Sequence, residues 1–311
     1  MTEAAEDTND YGEDEILRAT VGGGAARIVA VTATGVAREA IRRHEATGAA
    51  AVVLARGVTA GLLLATLTKD EERVTLQILG DGPLGGVTVD ATAAGTARAF
   101  VKHLETLSAL PPERPRLGAA IGKSGVVSVL RDLGLRESFR GQTSLATGEV
   151  DDDCERYLTE SEQIESALRC ETVLAADGTV AFAAGVLVQS LPGGRGAAVV
   201  AAARERLAAG ALREAMATAR DPGTLIEDAL GDAIGAWGAL DARPVRFECQ
   251  CSRERAGAAL ALLGSAELAD MILEDGKAEV TCNFCRARHD FTEAELERIR
   301  RDLEGFAGPP S

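Results

Sequence analysis

The sequence predicts an α+β protein: β-branched strands and helices are interleaved without regular βα alternation, no internal repeat is visible, and a short cysteine-bearing module closes the chain. A chain of 311 residues has room for two domains of ordinary size. Its hydrophobic content of 46% comes mainly from Ala, Val and Leu, with only 3% aromatics, so the core must be built from small aliphatic side chains.

The elements follow in order. Residues 1–15 form an acidic tail expected to be solvated and disordered. Ala26 to Thr34 predicts a strand because Ile28, Val29, Val31 and Thr32 are β-branched. Gly35 to Thr47 predicts a helix with mixed charge on one face, and Ala49 to Thr68 a second helix, apolar nearly all round, which needs cover on most sides. That stretch has the length of a membrane span, but Arg56 near its middle, with Gly57 and Gly61, favours a helix buried in protein. Arg73 to Ile78 and Gly86 to Ala91 alternate as strands about the turn Gly80-Asp81-Gly82-Pro83. A Pro-rich connection at Pro111 to Gly118 precedes short strands at Val126 to Leu130 and Ser138 to Gln142. Asp151 to Leu168 reads as helix and Val180 to Leu191 as strand, closing at Leu191-Pro192-Gly193-Gly194.

A domain boundary placed there gives a first domain at 16–196, a linker at 197–245 and a last module at 246–305. The linker is rich in Ala, Arg, Glu and Leu, with helical spacing to about Leu240 on either side of Asp221-Pro222-Gly223. Its first helix, Ala198 to Ala219, carries mostly small apolar side chains and is expected to dock weakly.

A formal charge of −15 and a pI near 4.8 argue against a nucleic-acid partner, since non-specific affinity for phosphate comes from Lys and Arg displacing counterions. The N-terminus shows neither a basic n-region nor an apolar h-region, so a cytoplasmic location is expected. No catalytic set emerges: His44, His103 and His289 lie apart without a nucleophile partner, and Gly22-Gly23-Gly24 lacks the Lys of a P-loop. The protein is not expected to be an enzyme.

Chemistry concentrates in four cysteines. Cys249-Gln250-Cys251 stands 30 residues before Cys282-Asn283-Phe284-Cys285, two close pairs of the kind that converge on one tetrahedral ion. Zinc suits four thiolates because it has no d-electron geometric preference and favours the ionised thiol. Glu279 to Thr281 and His289 to Phe291 read as the strands of a hairpin carrying the second pair on its turn. Arg253 to Leu263 and Ala266 to Glu274 read as short helices capped by Ser252 and Ser265. Thr292 and Glu295 form a capping-box pair before the apolar stripe Leu296, Ile299 and Leu303. So small a module needs its metal to stay folded. A plain structural zinc ribbon is the bland alternative. The single residue inside the first pair and the 30-residue gap both depart from common fingers and ribbons, and nine basic against thirteen acidic residues in 246–304 suit nucleic acid poorly.

The stretch Phe247-Glu248-Cys249-Gln250-Cys251-Ser252-Arg253-Glu254-Arg255, the gap and Cys282-Asn283-Phe284-Cys285 resemble the heat shock protein 33 family of redox-regulated holdases, also called 33 kDa chaperonins. Gln77 to Gly85, Ser161-Glu162-Gln163 and Ala184 to Leu191 look like family segments in family order, extending the resemblance over nearly the whole chain. The resemblance implies an N-terminal α+β domain with a helix between β-sheets, a linker and a C-terminal zinc switch with one zinc per chain. It further implies an inactive reduced form, and oxidative formation of Cys249–Cys251 and Cys282–Cys285 disulfides with zinc release. Loosening of the linker, dimerisation of a chain that is monomeric when reduced, and ATP-independent holding of unfolding proteins would follow, with neither nucleic acid nor membrane as partner. His289 stands where the family pattern has an aromatic, and is expected to be a hairpin residue. Cys154 and Cys170 lie outside the motif and are expected to be small buried hydrophobes. A thiol-disulfide oxidoreductase using Cys282 and Cys285, or a zinc-stabilised interaction protein without redox response, are the rival functions.

Overall fold

The acidic start of the chain enters the core sooner than its composition suggests. Asp14 is buried, and Glu15–Val21 forms a first strand, β1, which the sequence reading assigned partly to the tail and otherwise left blank. The computed structural model describes residues 13–69, 72–104, 116–132, 138–193 and 196–306; the rest of the expected tail and most of the Pro-rich connection lie outside the described residues. β1 alternates only weakly, and what fixes it is pairing with neighbours on both edges. Strand β2 (Ala26–Thr32) is followed by helix α1 (Thr34–His44) and the apolar helix α2 (Gly48–Ala65). Strands β3 (Arg73–Gly80), β4 (Gly86–Thr92) and β5 (Thr96–Val101) then run as an antiparallel meander, β5 being a further strand that the reading missed. A single helical turn, α3 (Gly118–Ile121), precedes β6 (Gly125–Asp132) and β7 (Phe139–Ser144).

Helix α4 (Val150–Glu160) stops eight residues short of the expected end, because Ser166–Leu174 is strand β8, paired along β9 (Val180–Ser190). Helix α5 (Ala197–Ala208) and the short α6 (Ala211–Ala215) divide at Gly210, whose φ of 98° breaks what was expected to be one helix. Helix α7 (Pro222–Ile234) begins at Asp221, whose side chain accepts the Thr224 amide at 2.9 Å, with Pro222 at the first helical position. The segment expected to stay helical to Leu240 instead forms strand β10 (Trp237–Pro244), continued by the two-residue β11 (Arg246–Phe247). The sheet pairing along β1 supplies what local helical spacing does not foresee. The chain ends with α8 (Arg253–Ala261), α9 (Ser265–Glu274), β12 (Lys277–Thr281), β13 (Arg288–Thr292) and α10 (Glu293–Phe306).

Residues 1–248 and 249–311 separate into two compact units. The first holds two sheets, of order β10-β1-β2-β9-β8 and β11-β5-β4-β3-β6-β7. Helix α2 lies between them, touching β2, β8 and β9 of one and β3, β4 and β5 of the other. Every residue from Ala49 to Ala65 is buried, so the stretch long and apolar enough to cross a membrane is a core helix here. Glycines allow the close approach on both sides: a Cβ on Gly61 would stand 2.6 Å from Val89 Cγ1 of β4, and one on Gly185 of β9 would stand 2.5 Å from Thr59 Cγ2 of α2.

Arg56 is the cost of this arrangement, a fully buried guanidinium 3.5 Å from Glu149 and 3.7 Å from Glu171, both themselves buried. Glu171 also meets Arg213 of α6 at 3.3 Å. The outer face of the first sheet carries α5 to α7. Helix α5 buries only Val200, Ala203 and Leu207, as its small side chains imply, whereas α6 and α7 bury Leu212, Leu225, Ile226 and Leu230, so the segment as a whole packs more firmly than expected.

Gly61→Val tests the glycine contact. It should raise helix propensity by less than 1 kcal/mol while overpacking against Val89, for a net loss of about 1–3 kcal/mol, read as a lowered urea midpoint with unchanged slope.

Candidate metal centre

The second unit is built around very few apolar side chains: Ala256, Leu260, Leu268, Ala278, Phe291 and Leu296 are its buried hydrophobic cluster. Helix α8 starts at Ser252, whose hydroxyl accepts the Arg255 amide at 3.2 Å. The second expected cap differs: Ser265 is already helical, and Gly264 precedes it without a side-chain cap. Helix α10 is held at its start by Glu295, which accepts both the amide and the hydroxyl of Thr292 at 2.9 Å. Arg253 reaches across from α8 to Glu295 at 2.6 Å and lies 4.6 Å over the Phe291 ring, a cross-link that helix spacing alone does not reveal. These amide and guanidinium bonds hold the Glu295 carboxyl well below its ordinary range, at about 2.

Strands β12 and β13 pair antiparallel from Lys277↔Thr292 to Thr281↔Arg288, leaving 282–287 as their connection. The turn is closed by the Cys282 amide to Ala287 O and the Arg286 amide to Cys282 O, both 2.9 Å, with Arg286 in the left-handed region at φ 61°. Cys249 and Cys251 follow β11 directly and precede the cap of α8. The structure brings all four cysteines together: their sulfurs lie within 4.8 Å of one another, with Cys249 Sγ to Cys282 Sγ at 3.7 Å and Cys251 Sγ to Cys285 Sγ at 3.2 Å. Tetrahedral thiolates around zinc, at about 2.3 Å each, stand about 3.8 Å apart, so the four atoms fit one such ion with small adjustments. Cys285 is buried and the other three are half-buried. Burial pushes the thiols of Cys251 and Cys285 up, as does the crowding of other sulfurs around Cys251, while the Ala287 amide pulls Cys285 back. Four sulfurs so placed repel as thiolates, and a divalent cation among them reverses that preference.

The remaining sites fall elsewhere. His289 sits on β13 opposite Val280, as expected of a hairpin residue, and is not among the clustered ligands. Cys154 on α4 and Cys170 on β8 are fully buried, and burial, followed by Asp151, pushes both thiols up into the inert, protonated form. Cys282 and Cys285 lie on a hairpin turn, not at the helix N-terminus that a dithiol oxidoreductase of thioredoxin type uses.

Fold and site together define a two-unit α+β protein whose small second unit carries a four-cysteine centre able to hold one metal ion. A family model described as Hsp33 protein matches residues 14–292. The 33 kDa chaperonin of Gloeobacter violaceus is 40% identical over 297 residues, covering 93% of this chain and 96% of its own, and that of Bacillus velezensis is 35% identical over 289 residues, covering 92% and 98%. The crystal structure of the 33 kDa chaperonin (heat shock protein 33 homolog) of Thermotoga maritima superposes with a TM-score of 0.82 at 31% identity, covering 94% of this chain and all of that one. The chain belongs to the Hsp33 family, and with it to the chaperones.

A four-thiol centre predicts that zinc added to the reduced, metal-free chain at neutral pH displaces about four protons, because each sulfur must ionise to bind. Calorimetry in buffers of different ionisation enthalpy counts them. Cys285→Ser should lower the count by one and weaken binding.

Proposed function

We propose that this chain is an ATP-independent holdase whose four cysteines, Cys249, Cys251, Cys282 and Cys285, hold zinc in the reduced, inactive form and form disulfides under oxidative stress. The observation that carries the reading is the gathering of four sulfurs within 4.8 Å inside a unit whose buried hydrophobic cluster holds six side chains among the described residues, in a chain of a chaperone family. Zinc, when bound, supplies the folding free energy that so small a core lacks, and keeps the sulfurs ionised.

Thiolates are the nucleophilic form of cysteine. With hypochlorous acid as oxidant, a thiolate takes Cl⁺ and releases hydroxide; the neighbouring thiolate then displaces chloride to close the S–S bond. Each disulfide consumes one oxidant and passes it two electrons, so two equivalents convert the four thiolates into Cys249–Cys251 and Cys282–Cys285 and leave no ligand set. Without it the second unit loses its main source of stability.

The division into a domain at 16–196, a linker at 197–245 and a switch at 246–305 assigns the next step to the linker. The linker's buried apolar residues, Val200, Ala203 and Leu207 of α5, Leu212 of α6 and Leu225, Ile226 and Leu230 of α7, cover the first sheet, so its loosening exposes an apolar cluster to unfolding proteins. The oxidised chain is expected to dimerise and the reduced one to be monomeric. A chain of charge −15 has no surface composition for nucleic acid, and its function belongs in the cytoplasm, where thiols are kept reduced between stresses.

One titration tests the proposal: hypochlorous acid is added to the zinc-loaded chain while released zinc, free thiols and suppression of aggregation of an unfolding client are followed together. Zinc release and chaperone activity should rise in parallel and saturate near two oxidants per chain. Activity independent of oxidant, or zinc retained at full activity, overturns the reading. The short sulfur contacts run across the two pairs, so peptide mapping of the oxidised chain is needed to establish the pairing, with 249–251 and 282–285 expected.

A further inference from the structure

The segment just before the first two cysteines closes two sheet edges at once. β10 covers β1 from Glu15↔Pro244 to Val21↔Trp237, with one bulge between Arg18 and Ala19. After one intervening residue, the buried Val245, β11 lies parallel to β5, through the Arg246 amide to Gly95 O at 2.8 Å and the Glu248 amide to Ala97 O at 3.2 Å, with Arg43 4.8 Å from the centre of the Phe247 ring. One stretch, Trp237–Glu248, is thus the outer strand of both sheets and runs directly into Cys249.

Its hold is unusual in kind. None of the eight side chains of β10 is buried, and Leu240 is 66% exposed. What keeps β10 in place is chiefly the main-chain ladder, supplemented by the Arg18–Asp241 pair, the bond from Trp237 Nε1 to Glu227 at 2.9 Å and the packing of half-buried Trp237; the apolar anchors of the stretch, Val245 and Phe247, lie beyond β10. A ladder of amides and carbonyls does not read side chains, so the edge of β1 accepts any chain able to extend beside it.

We propose that Trp237–Glu248 stands in for a client, and that the edge of β1, with the shorter edge of β5, is where an extended stretch of an unfolding protein pairs once the segment is released. The inference rests on the holdase reading above and names the partner's form: an extended strand recognised through its backbone. Recognition of this kind is indifferent to sequence, as a holdase of many clients requires.

Amide exchange on the full-length chain tests it, with chaperone activity measured on the same samples. The β1 amides should be protected in the reduced chain, exchange freely after hypochlorous acid, and regain protection when the oxidised chain holds a chemically unfolded client. A synthetic peptide of residues 237–248 should displace client from the oxidised chain, and its backbone N-methylated form should not. Continued protection of β1 after oxidation, or free exchange with client bound and aggregation suppressed, overturns this proposal while leaving the holdase reading intact. Absence of suppression in the oxidised chain overturns the holdase reading itself. Protection that returns without client and grows with chain concentration gives the edge to a second copy and overturns the client assignment.

Discussion

Helix α2 has no face that can meet water, and the first unit is organised around that constraint. A helix apolar on all sides must be enclosed, and two sheets enclose it where one layer would leave half its circumference exposed. Enclosure demands close approach, hence Gly57 and Gly61 against β4 and Gly185 against Thr59. It also strands Arg56, which needs countercharge inside the core. Glu149 and Glu171 provide it, and Glu149 is itself held by the amides of Leu117 and Gly118 at 2.8 and 3.2 Å. Because Glu171 also faces Arg213 of α6, the buried charge network reaches from the central helix to the helices on the outer face of the first sheet. Removing α6 would take one cation from a carboxylate that is almost wholly buried, a cost that opposes casual loss of the outer helices.

The second unit is organised by the opposite condition, too little burial instead of too much. Six buried apolar residues and one capping box cannot offset the conformational entropy of some sixty residues, as the area argument for small domains makes plain. Its hairpin turn places a non-glycine residue, Arg286, in the left-handed region, a local strain that needs support from elsewhere. Four sulfurs within 4.8 Å of one another could supply that support by holding one cation. Stability held in four ligand bonds differs from stability spread over a core, because a chemical change at the ligands removes it together.

Legibility of the sequence follows the same division between local and long-range causes. The apolar helix, the hairpin around Gly80 to Pro83 and the strand Val180 to Ser190 were readable because composition and alternation are local and pronounced. The cysteine centre was readable because ligand spacing is a chemical constraint that no core position imposes. What escaped is what depends on a partner distant in sequence. β1 and β10 pair across more than two hundred residues, so Glu15 looks like the end of an acidic tail, residues 16–21 carry no local signal, and Trp237 to Leu240 look like the end of a helical segment. The overrun of α4 into Ser166–Leu174 has the same origin, since β8 is a strand through its ladder with β9. The break at Gly210 is local, but a lone glycine in an alanine-rich run signals a stop only once its positive φ is known.

The switch proposed above would reach the first unit through two strands that meet, β1 and β10, and would need no large energetic difference between states. A docked helix is released only by exposing the apolar area it buried, and α6 with α7 would expose Leu212, Leu225, Ile226 and Leu230. An edge strand with no buried side chain exposes almost no such area on leaving; water replaces its main-chain bonds at a net cost of about 1 kcal/mol each. β10 is therefore held mainly by the most replaceable kind of interaction in the first unit, while Val245 and Phe247 beyond it are seated against the core around α2, which keeps the two sheets intact behind it. A chaperone that must open a surface without unfolding itself needs that separation between a rigid scaffold and a cover attached mainly through its backbone.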